Sequence, residues 1–208
     1  MSRVPYRRLI VALVLAFFCL PVYLVSRPTR GDVELRRTGG SFPGENSCAT
    51  GECHGGPSNT GPGQVSISVD GLPLSQYGYA PGETVPVVVA VSDPDQQRWG
   101  FQLTARTPDG CNQAGTFAPS GSETNVLIRQ DTSAVGGCPQ ATIQFPVHSC
   151  PKFGPGGASY TVDWTAPAGN IGSIVFAAAG NGANGDNMKT GDKIYTTEGA
   201  VEAAAGGE

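Results

Sequence analysis

The chain has 208 residues, with 17 acidic and 13 basic side chains, six cysteines, 30 glycines and 17 prolines, enough for one domain of ordinary size plus a targeting segment. Glycine and proline are abundant, but aromatic and β-branched residues run through the middle, which excludes disorder of the whole chain and points to a turn-rich β domain. Four bases (Arg3, Arg7, Arg8 and Arg27) flank an acid-free apolar run, so nine of the 13 bases face all 17 acids beyond Arg27, a formal −8 that excludes nucleic acid as a partner.

The run itself, LIVALVLAFFCLPVYLV from Leu9 to Val25, is 17 residues long. That is the lower limit for a membrane span and longer than most signal-peptide cores. The basic flank stays in the cytoplasm, which places everything after Arg27 outside, facing the periplasm or the cell exterior. No small-x-small cleavage site follows, which favours an uncleaved anchor helix over a cleaved signal. Residues 1–27 are accordingly read as a signal anchor, and the cytoplasmic membrane as the chain's first partner. Residues 28–64 are rich in Gly, Pro and Ser and lack a hydrophobic period, as expected of a linker ordered only around its cysteine cluster.

From Val65 the pattern changes to strands. VSISVDG alternates apolar and polar residues and ends in a turn. TVPVVVAVSD, WGFQLTAR, AGTFA, ATIQFPVH, ASYTVDWTAP, GSIVFAAAG and KIYTTEGAVE follow, separated by Gly, Pro, Asn and Asp turns. Short strands with no amphipathic helix predict an all-β fold, an immunoglobulin-like β-sandwich over residues 65–201, with an up-and-down barrel as the alternative. Residues 202–208 read as a frayed tail. Trp99 and Trp164 fall in strand patterns and are expected in the core.

The segment SCATGECHGG carries the chemistry, in Cys48, Cys53 and His54. Covalent attachment of a c-type haem needs two thiols for the two vinyl groups and an imidazole directly after the second thiol. The usual form is C-x-x-C-H. Here four residues separate the cysteines, and the extra residues must loop out, which Gly51 assists. Export supports this reading, because c-type attachment takes place outside the cytoplasm. The rival is a Cys48–Cys53 disulfide. A zinc site is weaker, since no second Cys or His pair stands at ligand spacing. With His54 as the proximal ligand, the sixth position falls to His148, at the end of the QFPVH strand, or to Met188, in the polar loop before Asp192. Cys111, Cys138 and Cys150 then remain, giving one disulfide and one thiol, with all three pairings open. Asp186 and Asp192 lack the spacing of a calcium loop. No Ser/His/Asp set and no G-x-S-x-G string is present, so no hydrolase is expected.

Several strings occur together in a recognisable order: RWGFQLTAR from Arg98, NQAGTF from Asn112, QFPVH, VDWTAP from Val162 and FAAAGNGANGDNMKTGDKIYTT from Phe176. From about Ser41 to Thr197 the chain resembles the bacterial reeler-like β-sandwich proteins, also described as choice-of-anchor V domain proteins. The resemblance implies a reeler-like sandwich with a C-x-x-C-H-like motif just before its first strand, landing on Cys48, Cys53 and His54. It also implies a histidine in the strand before D-W-T-A-P, landing on His148. The four-residue spacer and Pro146-Val147 depart from that pattern. The expectation is a membrane-tethered, non-enzymatic monohaem c-type cytochrome, used in electron transfer or redox sensing with a partner protein. The other expectation is a haem-free adhesion or matrix-binding module.

Overall fold

Valine-rich alternation builds one wall of the molecule, and aromatic alternation builds the other. The computed structural model of the protein describes residues 33–49, 53–121 and 123–205. The anchor expected from Leu9 to Val25 lies outside them. Among the described residues, no helix is long and apolar enough to cross a membrane.

Twelve strands follow in chain order: β1 (Gln64–Val69), β2 (Leu72–Pro73), β3 (Gly78–Tyr79), β4 (Thr84–Asp93), β5 (Arg98–Arg106) and β6 (Thr116–Pro119). Then come β7 (Val126–Asp131), β8 (Ile143–His148), β9 (Lys152–Phe153), β10 (Gly156–Thr165), β11 (Ile174–Ala183) and β12 (Lys193–Ala203). One sheet has five strands in the order β2-β1-β4-β10-β6; the other runs β3-β12-β11-β5-β8-β7, with β9 pairing to β5. Two stacked, mostly antiparallel sheets make a β-sandwich and exclude the barrel. β12 extends two residues beyond the expected domain end, because Glu202 and Ala203 pair in parallel with Gly78 and Tyr79 of β3; the tail is shorter than expected.

The period of two decides what each strand buries. Val65, Ile67 and Val69 of β1, Val87, Val89 and Val91 of β4, and Tyr160, Val162 and Trp164 of β10 face Trp99, Phe101, Leu103 and Ala105 of β5 and Phe176 and Ala178 of β11. Both tryptophans are buried. Their indole N–H groups donate to Gly154 O (Trp99, 2.8 Å) and Ala114 O (Trp164, 3.0 Å), so neither ring buries an unmet donor.

β5 is buried on its second face as well. Gly100, Gln102, Thr104 and Arg106 alternate with its core residues: Gln102 and Arg106 lie under the segment 35–63, Gly100 lies under the His148 ring, and Thr104 Oγ1 donates to Gln144 O of β8. That segment, expected to be linker, is held to the sheet at many points. Arg37 N donates to Gln102 Oε1 at 2.7 Å, Ser41 N to Glu198 Oε2 at 2.6 Å, and Asn59 N to Ile194 O at 2.8 Å. Its low apolar content hides this order, because the docking is polar. Only Phe42 is a large buried hydrophobe in it.

The strongest tie is a buried ion pair. Arg106 Nη2 lies 2.6 Å from Glu45 Oε2, and both side chains are fully buried. Thr38 N and Oγ1 donate to the other Glu45 oxygen at 3.0 and 2.6 Å. The guanidinium is stacked between Phe42 and Phe145, 4.8 and 5.2 Å from their ring centroids. Burial lowers the Arg106 pKa from its usual value, and Glu45 opposes that shift.

Candidate functional site: a histidine pair on the covered face

The segment that bears the cysteines begins as a small hairpin in which Thr38 bridges Ser47. Gly39 N donates to Asn46 O and Asn46 N to Arg36 O, both at 2.9 Å. Cys48 follows directly, with its Sγ 3.4 Å from Arg37 O. His54 N donates to Cys48 O at 3.2 Å. The two ends of the six-residue step therefore meet. Residues 50–52, Gly51 among them, lie outside the described part of the chain.

His54 sits over the start of the β11–β12 hairpin. Its Nδ1 is 2.7 Å from Asp192 Oδ2, and the Asp192 side chain is only 4% exposed. Its Nε2 is 3.3 Å from Asn181 Nδ2. An ionised carboxylate only accepts, so Nδ1 carries the proton; the Asn181 amide then donates to a lone pair on Nε2. A carboxylate on one ring nitrogen is also what orients a metal-ligating histidine; here the other nitrogen's lone pair is met by the Asn181 amide, which must turn aside for Nε2 to coordinate. Gly55 N donates to Lys189 O at 3.4 Å, tying the segment to the polar loop before β12.

His148 reaches the same neighbourhood from β8. The β5–β8 ladder stops at the Gln102–Val147 pair, and β9 takes over at Trp99 and Arg98. In the gap, the His148 ring replaces the missing backbone partner. Its Nδ1 lies 3.1 Å from Phe101 N and 3.2 Å from Phe101 O. When Nδ1–H donates to Phe101 O, Nε2 is left with the lone pair. Burial pulls the imidazole pKa below its ordinary value, and the nearby charge of Arg98 acts in the same direction. The ring is thereby kept neutral, as a metal ligand must be.

Two residues that sequence reading did not single out link the histidines. Asn181 of β11 and Gly100 of β5 are directly opposed across adjacent strands. Asn181 touches His54. A Cβ built on Gly100 would lie 2.6, 2.9 and 3.0 Å from Cε1, Nε2 and Nδ1 of His148. Glycine here makes room for the ring. Gly100→Ala should cost about 1–3 kcal/mol by overpacking, read as a shift in urea midpoint. The same change in a His148→Ala background should cost almost nothing, since the clash partner is gone.

The remaining candidates fall elsewhere. Met188 is 63% exposed, with its N–H donating to Asp186 Oδ1 at 2.7 Å. Asp186 shapes that loop while Asp192 serves His54, so the two do not share a calcium site. Among the described residues, no group of three or more His, Cys, Asp or Glu side chains is placed to hold a metal ion. A haem asks less of the protein, since the macrocycle supplies four of the six ligands. Cys111 and Cys138 form a disulfide, with Cα atoms 5.2 Å apart, and Cys150 is an exposed thiol.

No family model matches the chain, and no curated protein matches it. Among solved structures, it is similar to the reelin-N domain of F-spondin at 21% identity and a TM-score of 0.46, over 72% of this chain and 93% of that one. It is similar to the human F-spondin reeler domain at 20% identity and 0.45, over 72% and 94%. A cohesin module from a Clostridium perfringens family 33 glycoside hydrolase aligns at 10% identity and 0.42, over 68% and 96%.

Proposed function

We propose that the chain is a membrane-tethered extracytoplasmic c-type cytochrome for electron transfer or redox sensing. In this reading Cys48 and Cys53 would bond one haem, and His54 and His148 would hold its iron. The observation that carries it is the His54 imidazole. Its Nδ1 is held by a buried carboxylate, and its Nε2 side meets Asn181, directly opposed to the Gly100 that accommodates His148. The Cys48 O–His54 N hydrogen bond supports the attachment motif, because it closes the longer spacer. The motif order shared with choice-of-anchor V proteins supports His148. The haem would supply one-electron chemistry when bound; the chain would supply the imidazoles of His54 and His148, whose surroundings bias its potential. Two strong ligands leave no open position for substrate, which fits a non-enzymatic carrier exchanging electrons with a partner protein. The basic flank and the apolar run ahead of Arg27 support the tether.

A second reading is favoured by the sandwich itself, whose loops are stapled by the Cys111–Cys138 disulfide. In it, segment 35–63 is a structural cover, Cys48 and Cys53 form a disulfide, and the module serves surface adhesion or matrix binding.

The full chain, expressed with c-type maturation machinery and then denatured, should retain haem staining and give a pyridine haemochrome spectrum. A colourless product overturns the cytochrome reading. In a coloured product, His148→Ala should replace the low-spin Soret band with a high-spin one. An unchanged band removes His148 as a ligand and promotes Met188.

A further inference from the structure

We propose that Asp192 is the positioning residue of this site: it fixes His54 in the Nδ1–H tautomer and strengthens Nε2 as a donor. The consequence for iron rests on the haem assignment above; the tautomer belongs to the protein with or without haem.

Asp192 immediately precedes β12, at the foot of the hairpin whose other strand carries Asn181. Its side chain is almost fully buried, and its second oxygen, Oδ1, has no hydrogen-bond partner among the described residues. A carboxylate so placed is costly to desolvate, and the His54 N–H at 2.7 Å is the hydrogen bond that offsets the cost. Only a ring protonated on Nδ1 can provide it.

The far side of the ring agrees. Asn181 Nδ2 points at Nε2, while Asn181 Oδ1 is buried without a partner. A donor facing Nε2 requires a lone pair there. Carboxylate and amide thus read the two ring nitrogens differently, and together they select one tautomer. A carboxylate on the outer nitrogen also gives the ring partial imidazolate character, which favours ferric over ferrous iron.

A purely structural Asp192 would do no more than pin residues 53–55 to the hairpin, a task shared by the Gly55–Lys189 hydrogen bond. Tautomer and potential separate the two roles. The chain has only two histidines, so nitrogen-detected NMR of the ¹⁵N-histidine-labelled full chain, made without haem supply, gives two ring systems. His148→Gln assigns them. His54 should show Nδ1 protonated and Nε2 as the pyridine-type nitrogen. Asp192→Ala should convert it to a mixture of tautomers, whereas Asp192→Asn, which can still accept the hydrogen bond, should keep the tautomer. In haem-loaded protein, Asp192→Asn should retain the low-spin spectrum while its reduction potential rises. A wild-type His54 protonated on Nε2, or a potential unmoved by Asp192→Asn, overturns the proposal. A chain that takes up no haem overturns the cytochrome reading instead, and the NMR result still decides the tautomer.

Discussion

Glu45→Ala is expected to remove about 3–5 kcal/mol of stability, the cost of leaving a buried charge without its partner. Arg106 would remain beneath Phe42 and Phe145 with no carboxylate, and Thr38 would lose the acceptor for both its N–H and its hydroxyl. Urea unfolding measures the loss. A change below about 1 kcal/mol, the size of an exposed ion pair, would mean that the segment is not clamped at this point. Adding Arg106→Met to Glu45→Ala should recover much of the loss, because an apolar side chain between two aromatic rings needs no counter-ion. The variant also reports on the site. The hairpin that begins at Arg36 leads directly into Cys48, so loosening it should raise amide exchange across His54 before the sandwich core unfolds.

Removing the Cys111–Cys138 disulfide is expected to cost about 3.5 kcal/mol, the chain-entropy value for a closed loop of this size. The bridge spans a sequence separation of 27. It joins the turn after β5 to the loop between β7 and β8, two connections that no strand pairing holds together. Cys111→Ser with Cys138→Ser should lower the urea midpoint accordingly, and reduction of the wild type should reproduce the effect. If the double variant is as stable as the parent, the loops are held by packing alone. The exposed Cys150 makes the single variants informative. A lone partner thiol can pair with Cys150, in the wrong fold or between chains, and the double variant avoids this.

The inner half of this molecule was legible because burial on one face leaves a period of two. VSISV and SYTVDWT alternate in sequence, TVPVVVAV alternates in burial alone, and each lies where a strand was expected. β7 was not legible: in VLIRQD only Val126 is buried, as befits an edge strand with little to cover. The two-residue strands β2, β3 and β9 are too short for any period to register.

The outer layer misled for a different reason. In RWGFQLTAR the residues Gly100, Gln102, Thr104 and Arg106 look like a solvated face, whereas they are buried under β8 and under a segment whose docking groups are themselves polar. Periodicity reports polarity and is silent about a polar cover. Spacing chemistry singled out Cys48, Cys53 and His54, and motif order singled out His148. Asp192, Asn181 and Gly100 were not singled out, because what defines them is register between strands distant in sequence. The signal that existed was small: a glycine inside a strand marks a close approach, and Gly100 is one.

The covered face also has a direction in time. Segment 35–63 is made before the sandwich it covers, while its contacts come late: Arg106 lies 61 residues beyond Glu45, and Asp192 lies 138 residues beyond His54. Closing loops of that length is slow compared with forming local turns. The cysteine segment therefore stands unroofed at first, and its seat is built only when the last hairpin arrives. A reagent that reacts with Cys48 and Cys53 has that interval in which to act. Once β12 pairs and Asp192 takes hold of His54, the segment becomes part of the wall.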